Sequence, residues 1–236
     1  MSLLSHPADF IVHVLFLIPA LLLGFVLHEM AHAYVAVSQG DQTPRVDGRL
    51  NPDPRRHLDP FGLILVLLMN VGYARPVRIN PSRLRGDLSR LMVALAGPAA
   101  NLLIAALASV PIKLLANSTS LGLAYVFAPC SLTQNPVGLL LTELFFIFTL
   151  NLLLMVFNLF PVPPLDGFEI IRTLLRTRNP RLLWQIESNS QNILLAVVLI
   201  VVVPPFFGFP SPLFLVINAV AGPIAGLLGV RLGFPC

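Results

Sequence analysis

Charged residues are scarce in this chain. Of its 236 residues, 11% are charged and 56% are hydrophobic, and the mean hydropathy is +0.83. A soluble domain of this composition would lack the polar side chains that cover a water-exposed surface. Several apolar runs reach the ~20 residues that a helix needs to span a bilayer. The composition therefore excludes an ordinary soluble domain and predicts a protein whose partner is the lipid bilayer.

Lysine is almost absent, and the basic residues are unevenly distributed. Fourteen of the 15 basic residues are arginines, and thirteen basic residues lie in two regions, 45–90 and 172–181. The net charge of +4 alone would be compatible with nucleic acid binding. Such clustering, however, is typical of loops that a membrane protein keeps on its cytoplasmic face. We therefore predict no nucleic acid partner, two cytoplasmic basic regions, and an N-terminus on the opposite side.

Cysteines are few, and a basic N-terminal segment is lacking. Cys130 and Cys236 are the only cysteines, which excludes a disulfide framework, and neither belongs to a C-x-x-C pair. No lysine or arginine precedes Arg45, whereas a secretory leader begins with a basic segment. The first apolar run, about residues 10–37, is therefore predicted to be a retained transmembrane helix.

Apolar runs define the predicted fold. Five of them predict transmembrane helices, and the second is expected to be interrupted at Gly97-Pro98; they cover about residues 10–37, 88–115, 137–160, 193–203 and 213–232. A sixth run, 61–71, is too short to cross about 30 Å of hydrocarbon. It precedes the proline-containing stretch 72–81, which together with it predicts a short re-entrant or membrane-associated β-hairpin segment. The predicted fold class is an all-α polytopic membrane protein with about five transmembrane helices plus this segment.

The first run contains the pentapeptide His28-Glu29-Met30-Ala31-His32. Residues four apart on a helix lie on one face, with Cβ atoms about 5–6 Å apart, so both imidazoles can bind one metal ion. Catalytic zinc sites take three protein ligands and a water molecule, and Glu29 lies where it can act as the base for that water. Three ionisable groups within one turn of an apolar helix are costly and indicate a function. The remaining histidines lack this spacing, and we expect His13 to be interfacial or packed and His57 to be a solvated loop residue.

Few acidic residues lie at membrane depth, and one of them must supply the third ligand. Glu143 and Asp166 lie within the apolar part of the chain, and Glu169 lies just beyond. By the predicted topology Glu143 is near the outer end of its helix, whereas His28 and His32 lie in the cytoplasmic half of theirs. Asp166 follows a proline-rich, helix-breaking stretch at the cytoplasmic end, so depth favours Asp166. Two histidines and a carboxylate suit zinc, and they also suit iron.

Three segments of the sequence carry a family resemblance in combination. They are the pentapeptide at 28–32, Gly97-Pro98-Ala99-Ala100-Asn101, and Asn158-Leu159-Phe160-Pro161-Val162-Pro163-Pro164-Leu165-Asp166-Gly167. With them the chain resembles the site-2 protease family of intramembrane zinc metalloproteases over about residues 20–175. The stretch 72–77 is also similar to the extended, membrane-associated segment of that family.

The resemblance implies specific roles for the residues that match. It implies one Zn²⁺ per chain, bound by His28, His32 and Asp166, with Glu29 activating water. It also implies that Asn101 and Asn158 lie near the site, where they would help to hold the substrate or the transition state. Asparagines in membrane helices also often form hydrogen bonds between helices, so both roles stay open for these two residues.

The resemblance further implies an activity and a location. The activity is hydrolysis of peptide bonds within or near transmembrane segments of other membrane proteins. Residues 1–236 would form a single transmembrane protease domain without PDZ or CBS domains, with a catalytic core at about 10–175 and additional helices at about 190–232. We expect an integral protein of the cell (plasma) membrane whose active site faces the cytoplasmic side. The oligomeric state and the physiological substrate stay open.

Two other classes of protein could also carry histidines and acids in a membrane. A metal-ion transporter would place such ligands along a path through several helices. In a catalytically inactive binding or scaffold protein, Glu29 would be a buried charge with no functional role. Convergence of the ligands on one point, with Glu29 beside them, favours the protease.

Overall fold

The computed structural model describes residues 7–60, 62, 74–118, 136–209 and 212–230, and the structural statements below concern these residues. Several predictions lie outside them. These are the predictions for most of the short run 61–71, for Gly72 and Tyr73, and for Cys130 and Cys236.

The described part of the chain is mostly helical. In chain order the helices are α1 (Pro7–Ser38), α2 (Thr43–Val46), α3 (Pro54–His57), α4 (Asp87–Ser118), α5 (Pro136–Asn158), α6 (Asp166–Arg178), α7 (Pro180–Ser188), α8 (Ser190–Phe206) and α9 (Pro212–Leu227). A short 3-10 turn, Pro81–Arg83, precedes α4. No strand beyond a single bridge occurs in the described ranges.

Helices α1, α4 and α5 are long and apolar enough to cross a membrane. Their ends agree within a few residues with three of the predicted runs. Helices α8 and α9 occupy the positions of the last two runs, and their apolar parts are shorter than a typical span. The described residues therefore contain three candidate spans rather than five.

The predicted interruption of the second run is wrong. Helix α4 continues without a break through Gly97, Pro98 and Pro111. A proline removes one backbone hydrogen bond from a helix, whereas unwinding the chain at membrane depth leaves several backbone groups unsatisfied. The continuous helix is therefore the less costly solution.

Helices α1, α4 and α5 each contact the other two. Fully buried alanines such as Ala20 on α1 and Ala105 on α4 let the helix backbones approach closely. One apolar cluster lies between α1 and α5 around Phe146, and a second joins α4, α5 and α9 around Phe148. Exposed leucines at helical spacing, Leu103, Leu107 and Leu114, form an outer face of α4 that suits lipid.

The non-helical stretch Ala74 to Asn80, called segment 74–80 below, pairs with the end of α3. Ala74 and Leu58 form an antiparallel bridge, and the N–H of Arg75 donates to the carbonyl of His57 at 2.8 Å. The prediction of His57 as a solvated residue is wrong: its side chain is fully buried at this pairing, and Nε2 donates to the carbonyl of Asn51 at 2.8 Å. The bridge joins a residue shortly before the run 61–71 to a residue within the stretch 72–81.

Candidate metal centre

Three side chains from distant parts of the chain meet where α1, α4 and α6 come together. His28 and His32 lie one turn apart on α1, and Asp166 is the first residue of α6. Asp166 Oδ2 lies 3.2 Å from His28 Nε2 and 3.3 Å from His32 Nε2, and the two Nε2 atoms are 3.1 Å apart. The structure thus brings together the three residues that the sequence nominated as ligands. Within the described ranges no second group of this kind occurs.

Each imidazole is oriented by a contact on its far side. His32 Nδ1 donates to the carbonyl of Val93 at 2.7 Å, and His28 Nδ1 donates to Asn101 Oδ1 at 2.9 Å. Because these oxygens only accept, each Nδ1 carries a proton, and the neutral form of each ring, which is the form that binds a metal, turns the lone pair of Nε2 towards Asp166. Such outer contacts are typical of histidines that bind metals.

The cluster fits zinc by its geometry. Asp166 Oδ2 is buried and receives no hydrogen bond, so three acceptor atoms converge without a donor among them. Zinc binds histidine nitrogen and carboxylate oxygen at about 2.0–2.2 Å, which puts tetrahedral ligand atoms about 3.3 Å apart. The observed separations of 3.1, 3.2 and 3.3 Å match this value. The residues present could therefore hold one zinc ion.

Gly97 lets α4 pack directly against the two histidines. A Cβ atom at this position would lie 2.6 Å from His28 Nε2 and even closer to His32 Nε2. Contacts this short do not occur between real side chains, so any larger residue would displace the imidazoles. The glycine is thus a requirement of the site, and not only of helix packing.

Glu29 is buried beside the cluster and is held by segment 74–80. Its side chain is 8% exposed, and Oε2 accepts a hydrogen bond from the backbone N–H of Val77 at 2.9 Å. This contact links α1 to a part of the chain 48 residues away. It fixes the position of the carboxylate of Glu29, which follows His28 directly on α1.

A tight turn brings Asp166 to the histidines. Helix α5 ends at Asn158, and the chain turns through residues 159–165 before α6 begins at Asp166. A Cβ atom on Gly167 would lie 2.5 Å from the carbonyl oxygen of Phe160, so the turn needs glycine there. The alternative ligand Glu143 lies on α5 fifteen residues before Asn158, or about 22 Å along the helix.

The two predicted asparagines have different surroundings. Asn101 is fully buried and contacts His28 through Oδ1, while its Nδ2 is buried without a hydrogen-bond acceptor in the described ranges. Asn158 is half-buried at the end of α5, and its Nδ2 donates to the carbonyl of Leu154 in the same helix at 2.9 Å. Asn101 therefore touches the cluster, whereas the hydrogen bond of Asn158 stays within its own helix.

Arg49 holds segment 74–80 in place. Its buried guanidinium donates to the carbonyls of Arg56, Arg75 and Pro76, the last two at 3.0 Å. Burial lowers the pKa of Arg49 from its usual value, and the nearby carboxylate of Glu29 opposes that effect. Arg49 therefore ties together both sides of the pairing and lies within the electrostatic reach of Glu29.

Asp41 anchors the far end of the same segment. The fully buried carboxylate accepts from the N–H of Asn80 at 2.7 Å and from the hydroxyl and N–H of Thr43. Burial alone would raise the pKa of Asp41, but these hydrogen bonds and the charge of Arg83 outweigh it and lower the pKa. The carboxylate is therefore ionised at neutral pH.

Sequence reasoning did not identify Arg49, Asp41 or the role of Gly97. Nothing in the sequence distinguishes Arg49 from the other arginines of region 45–90, because its role depends on carbonyls that only the fold brings together. A signal for Gly97 did exist, since it lies four residues before Asn101 in one of the three segments that carry the resemblance.

Comparison with known proteins agrees with this geometry. The family model for peptidase family M50 matches residues 16–204. YwhC of Bacillus subtilis, which is provisionally named a zinc metalloprotease, is 38% identical to this chain over 161 residues. The match covers 67% of this chain and 68% of YwhC. Rip2 of Mycobacterium tuberculosis, provisionally named in the same way, is 29% identical over 168 residues, or 69% of this chain and 58% of Rip2. No solved structure gave a significant match.

Proposed function

The chain belongs to peptidase family M50, and from this premise we propose how its parts carry out proteolysis in the membrane. It is a membrane zinc metalloprotease, in agreement with its relatives and its apolar helices. The residue roles, the substrate class and the orientation given below are our proposals. The observation that carries them is the convergence of His28, His32 and Asp166 next to the buried Glu29.

His28, His32 and Asp166 hold one zinc ion, and Glu29 is the catalytic base. A zinc ion held by these three residues would supply Lewis-acid polarisation of the scissile carbonyl and would make the attacking water more acidic. Glu29 accepts the proton of the attacking water and delivers it to the amine that leaves. The N–H of Val77 keeps the Glu29 carboxylate in position for both steps.

Asn101 and Asn158 have supporting roles. Asn101 fixes the ring of His28 through Nδ1, so we assign it as a positioning residue rather than a residue that touches substrate. Asn158 is the last residue before the turn that leads to Asp166. Rotation of its side chain would break the hydrogen bond from Nδ2 to the carbonyl of Leu154, and Nδ2 could then donate to the substrate carbonyl.

The substrate is a transmembrane segment of another protein, and segment 74–80 receives it. A helix hides its carbonyls in its own hydrogen bonds, so the substrate must unwind locally before attack. The N–H groups of Arg78 and Ile79 have no hydrogen-bond partner within the described ranges, although they follow directly after the Glu29 contact at Val77. An unwound substrate that pairs with one of these groups, such as the N–H of Ile79, would recover a backbone hydrogen bond beside the metal centre.

The chain acts as a single membrane domain. Helices α8 and α9 would complete a set of five spans. We place the chain in the plasma membrane. Thirteen of the 15 basic residues lie in regions 45–90 and 172–181, which supports a cytoplasmic location for the loops next to the active site.

The activity is tested with a reconstituted substrate. The purified chain and a model protein with one transmembrane segment are placed in lipid vesicles, and the products are mapped by mass spectrometry. We expect cleavage within or at the edge of the segment, lost on chelation and restored by stoichiometric zinc. Cleavage only in a distant soluble region would contradict the proposed substrate class.

Strand pairing is tested at Ile79. Proline at Val77 would remove the hydrogen bond to Glu29 as well, so Ile79→Pro is the more selective variant. We expect Ile79→Pro to lower kcat/KM while zinc content is unchanged, and Ile79→Ala, which keeps the N–H, to stay near wild type. Equal kinetics for both variants would exclude pairing at this position.

A further inference from the structure

A cavity rich in arginine opens next to segment 74–80. It has a volume of about 540 Å³ and is lined by Asp47, Pro76 and a group of arginines, Arg49, Arg55, Arg56, Arg75 and Arg78. These residues come from α3, from segment 74–80 and from the turn between α2 and α3. We call this feature the arginine cavity.

The positive charge of the arginine cavity is only partly balanced. Asp47 pairs with Arg78 through two hydrogen bonds, of 2.8 and 3.0 Å. The guanidinium of Arg49 already donates hydrogen bonds to backbone carbonyls. Arg55, Arg56 and Arg75 are exposed, and no ion pair joins any of them to an acidic side chain in the described part of the chain. Three guanidinium groups with free donors therefore face one concave space.

The arginine cavity is adjacent to the catalytic base. Pro76 and Arg78 line it, and the residue between them, Val77, donates its N–H to Glu29. An extended peptide advances about 3.3 Å per residue. A substrate whose scissile bond lies at the metal centre therefore has a side chain within a few residues that reaches the arginine cavity. This proximity favours a peptide over a lipid headgroup as the occupant.

We propose that the arginine cavity is a specificity subsite that binds an acidic side chain flanking the scissile region of the substrate. The proposal rests on the proposed function and adds the substrate feature that the site selects. Guanidinium groups pair with carboxylates through directed hydrogen bonds. Resident membrane proteins carry mainly Lys and Arg in their cytoplasmic flanks. The same arginines repel such flanks, so the subsite would also reject most unintended substrates.

Binding tests the subsite separately from cleavage. The zinc-loaded Glu29→Gln chain in detergent is titrated with labelled transmembrane peptides that differ only in three flanking residues, Asp, Asn or Lys. We expect the Asp peptide to bind at least about tenfold more tightly than the Lys peptide, since several exposed ion pairs act together. Combining Arg55→Glu, Arg56→Glu and Arg75→Glu should reverse the order of affinity.

A charge-matched variant controls for the overall charge of the surface. Arg85, Arg178 and Arg181 are also exposed basic residues, but they lie outside the arginine cavity. Combining Arg85→Glu, Arg178→Glu and Arg181→Glu changes the net charge as much as the triple variant does and should leave the preference for the Asp peptide unchanged. If this control abolishes the preference as well, a general surface potential explains it and the subsite is excluded.

The remaining outcomes separate the subsite from the proposed function. No discrimination among the peptides, or discrimination that survives the triple variant, would overturn the subsite whether or not the wild type cleaves. Arginine-dependent binding to phosphatidylglycerol nanodiscs without peptide discrimination would assign the cavity to a lipid headgroup and also overturn it. If the preference for the Asp peptide depends on the three arginines but the zinc-loaded wild-type chain cleaves none of the peptides, the subsite is supported and the proposed protease role is contradicted.

Discussion

The two sides of the candidate active site are built in different ways. On one side, buried side chains of α1, α4 and α6 converge, with ligand atoms 3.1–3.3 Å apart and Gly97 packed against them. On the other side, segment 74–80 presents backbone groups and is held by Glu29, Arg49 and Asp41. The first, called the metal side below, suits the binding of a metal. The second, called the peptide side, suits the binding of a polypeptide. Variants should therefore affect zinc retention and substrate handling separately.

The largest effect is expected from loss of a ligand. Asp166→Asn leaves a neutral oxygen in place of the carboxylate, so zinc should be lost and kcat/KM should fall by more than about 100-fold, beyond the usual effect of outer contacts. Zinc content is measured by mass spectrometry after dialysis, together with cleavage. Glu169→Gln changes an exposed carboxylate on the same helix and should retain zinc and activity. Full zinc content in Asp166→Asn would remove Asp166 from the ligand set.

Substitution of Gly97 should affect the metal side without changing a ligand. In Gly97→Ala the new Cβ displaces the two imidazoles, and we expect zinc affinity to fall about 10- to 100-fold. Gly222 occurs in the same Ala-Gly-Pro context on α9, but a Cβ there meets nothing within 4 Å. Gly222→Ala is therefore the matched control and should keep wild-type affinity. Equal affinities of the two variants would contradict the direct packing of α4 on the site.

Substitution of Arg49 should affect only the peptide side. Arg49→Met keeps much of the side-chain volume but removes the donors to Arg75 and Pro76. We expect normal zinc content and a 10- to 100-fold fall in kcat/KM, of the order of one or two charged hydrogen bonds. Arg178→Met, at an exposed position, should have no effect. Loss of zinc from Arg49→Met would show that the two sides are not separable.

The smallest effect is a dependence on pH at the end of segment 74–80. Because the pKa of Asp41 is lowered in the folded chain, its stabilisation is present above the ordinary aspartate pKa and is lost as pH falls through the lowered value. The protection factor of the Asn80 amide in hydrogen exchange should therefore be constant from about pH 7 to 5 and fall only below about pH 4. Asp41→Asn should reduce protection at every pH. A decline between pH 7 and 5 in the wild type would identify another group.

The metal side could be predicted from the sequence because it depends on helical spacing. The four-residue separation of His28 and His32 fixes their common face, and depth in the membrane separates Asp166 from Glu143. Polar residues in an apolar helix also have few alternative roles. Neither the helical spacing nor the membrane depth depends on long-range packing.

The peptide side could not be predicted to the same degree. The sequence indicated a non-helical stretch, but not that Val77 donates to Glu29 or that Arg49 and Asp41 hold its two ends. Backbone hydrogen bonds of this kind do not depend on residue type, so no pattern reveals them. His57 was misjudged for the same reason, because a pairing between distant residues buries it. The expected break at Gly97-Pro98 ignored the cost of unwinding a helix in lipid.

One measurement tests most directly whether metal binding and proton transfer by Glu29 are separate functions of the site. Glu29→Gln is compared with wild type for zinc content and for cleavage of the same transmembrane substrate. We predict equal zinc content and no detectable cleavage by the variant, because we propose Glu29 as the base and not as a ligand. Cleavage at the wild-type rate by a zinc-loaded Glu29→Gln chain would contradict this account.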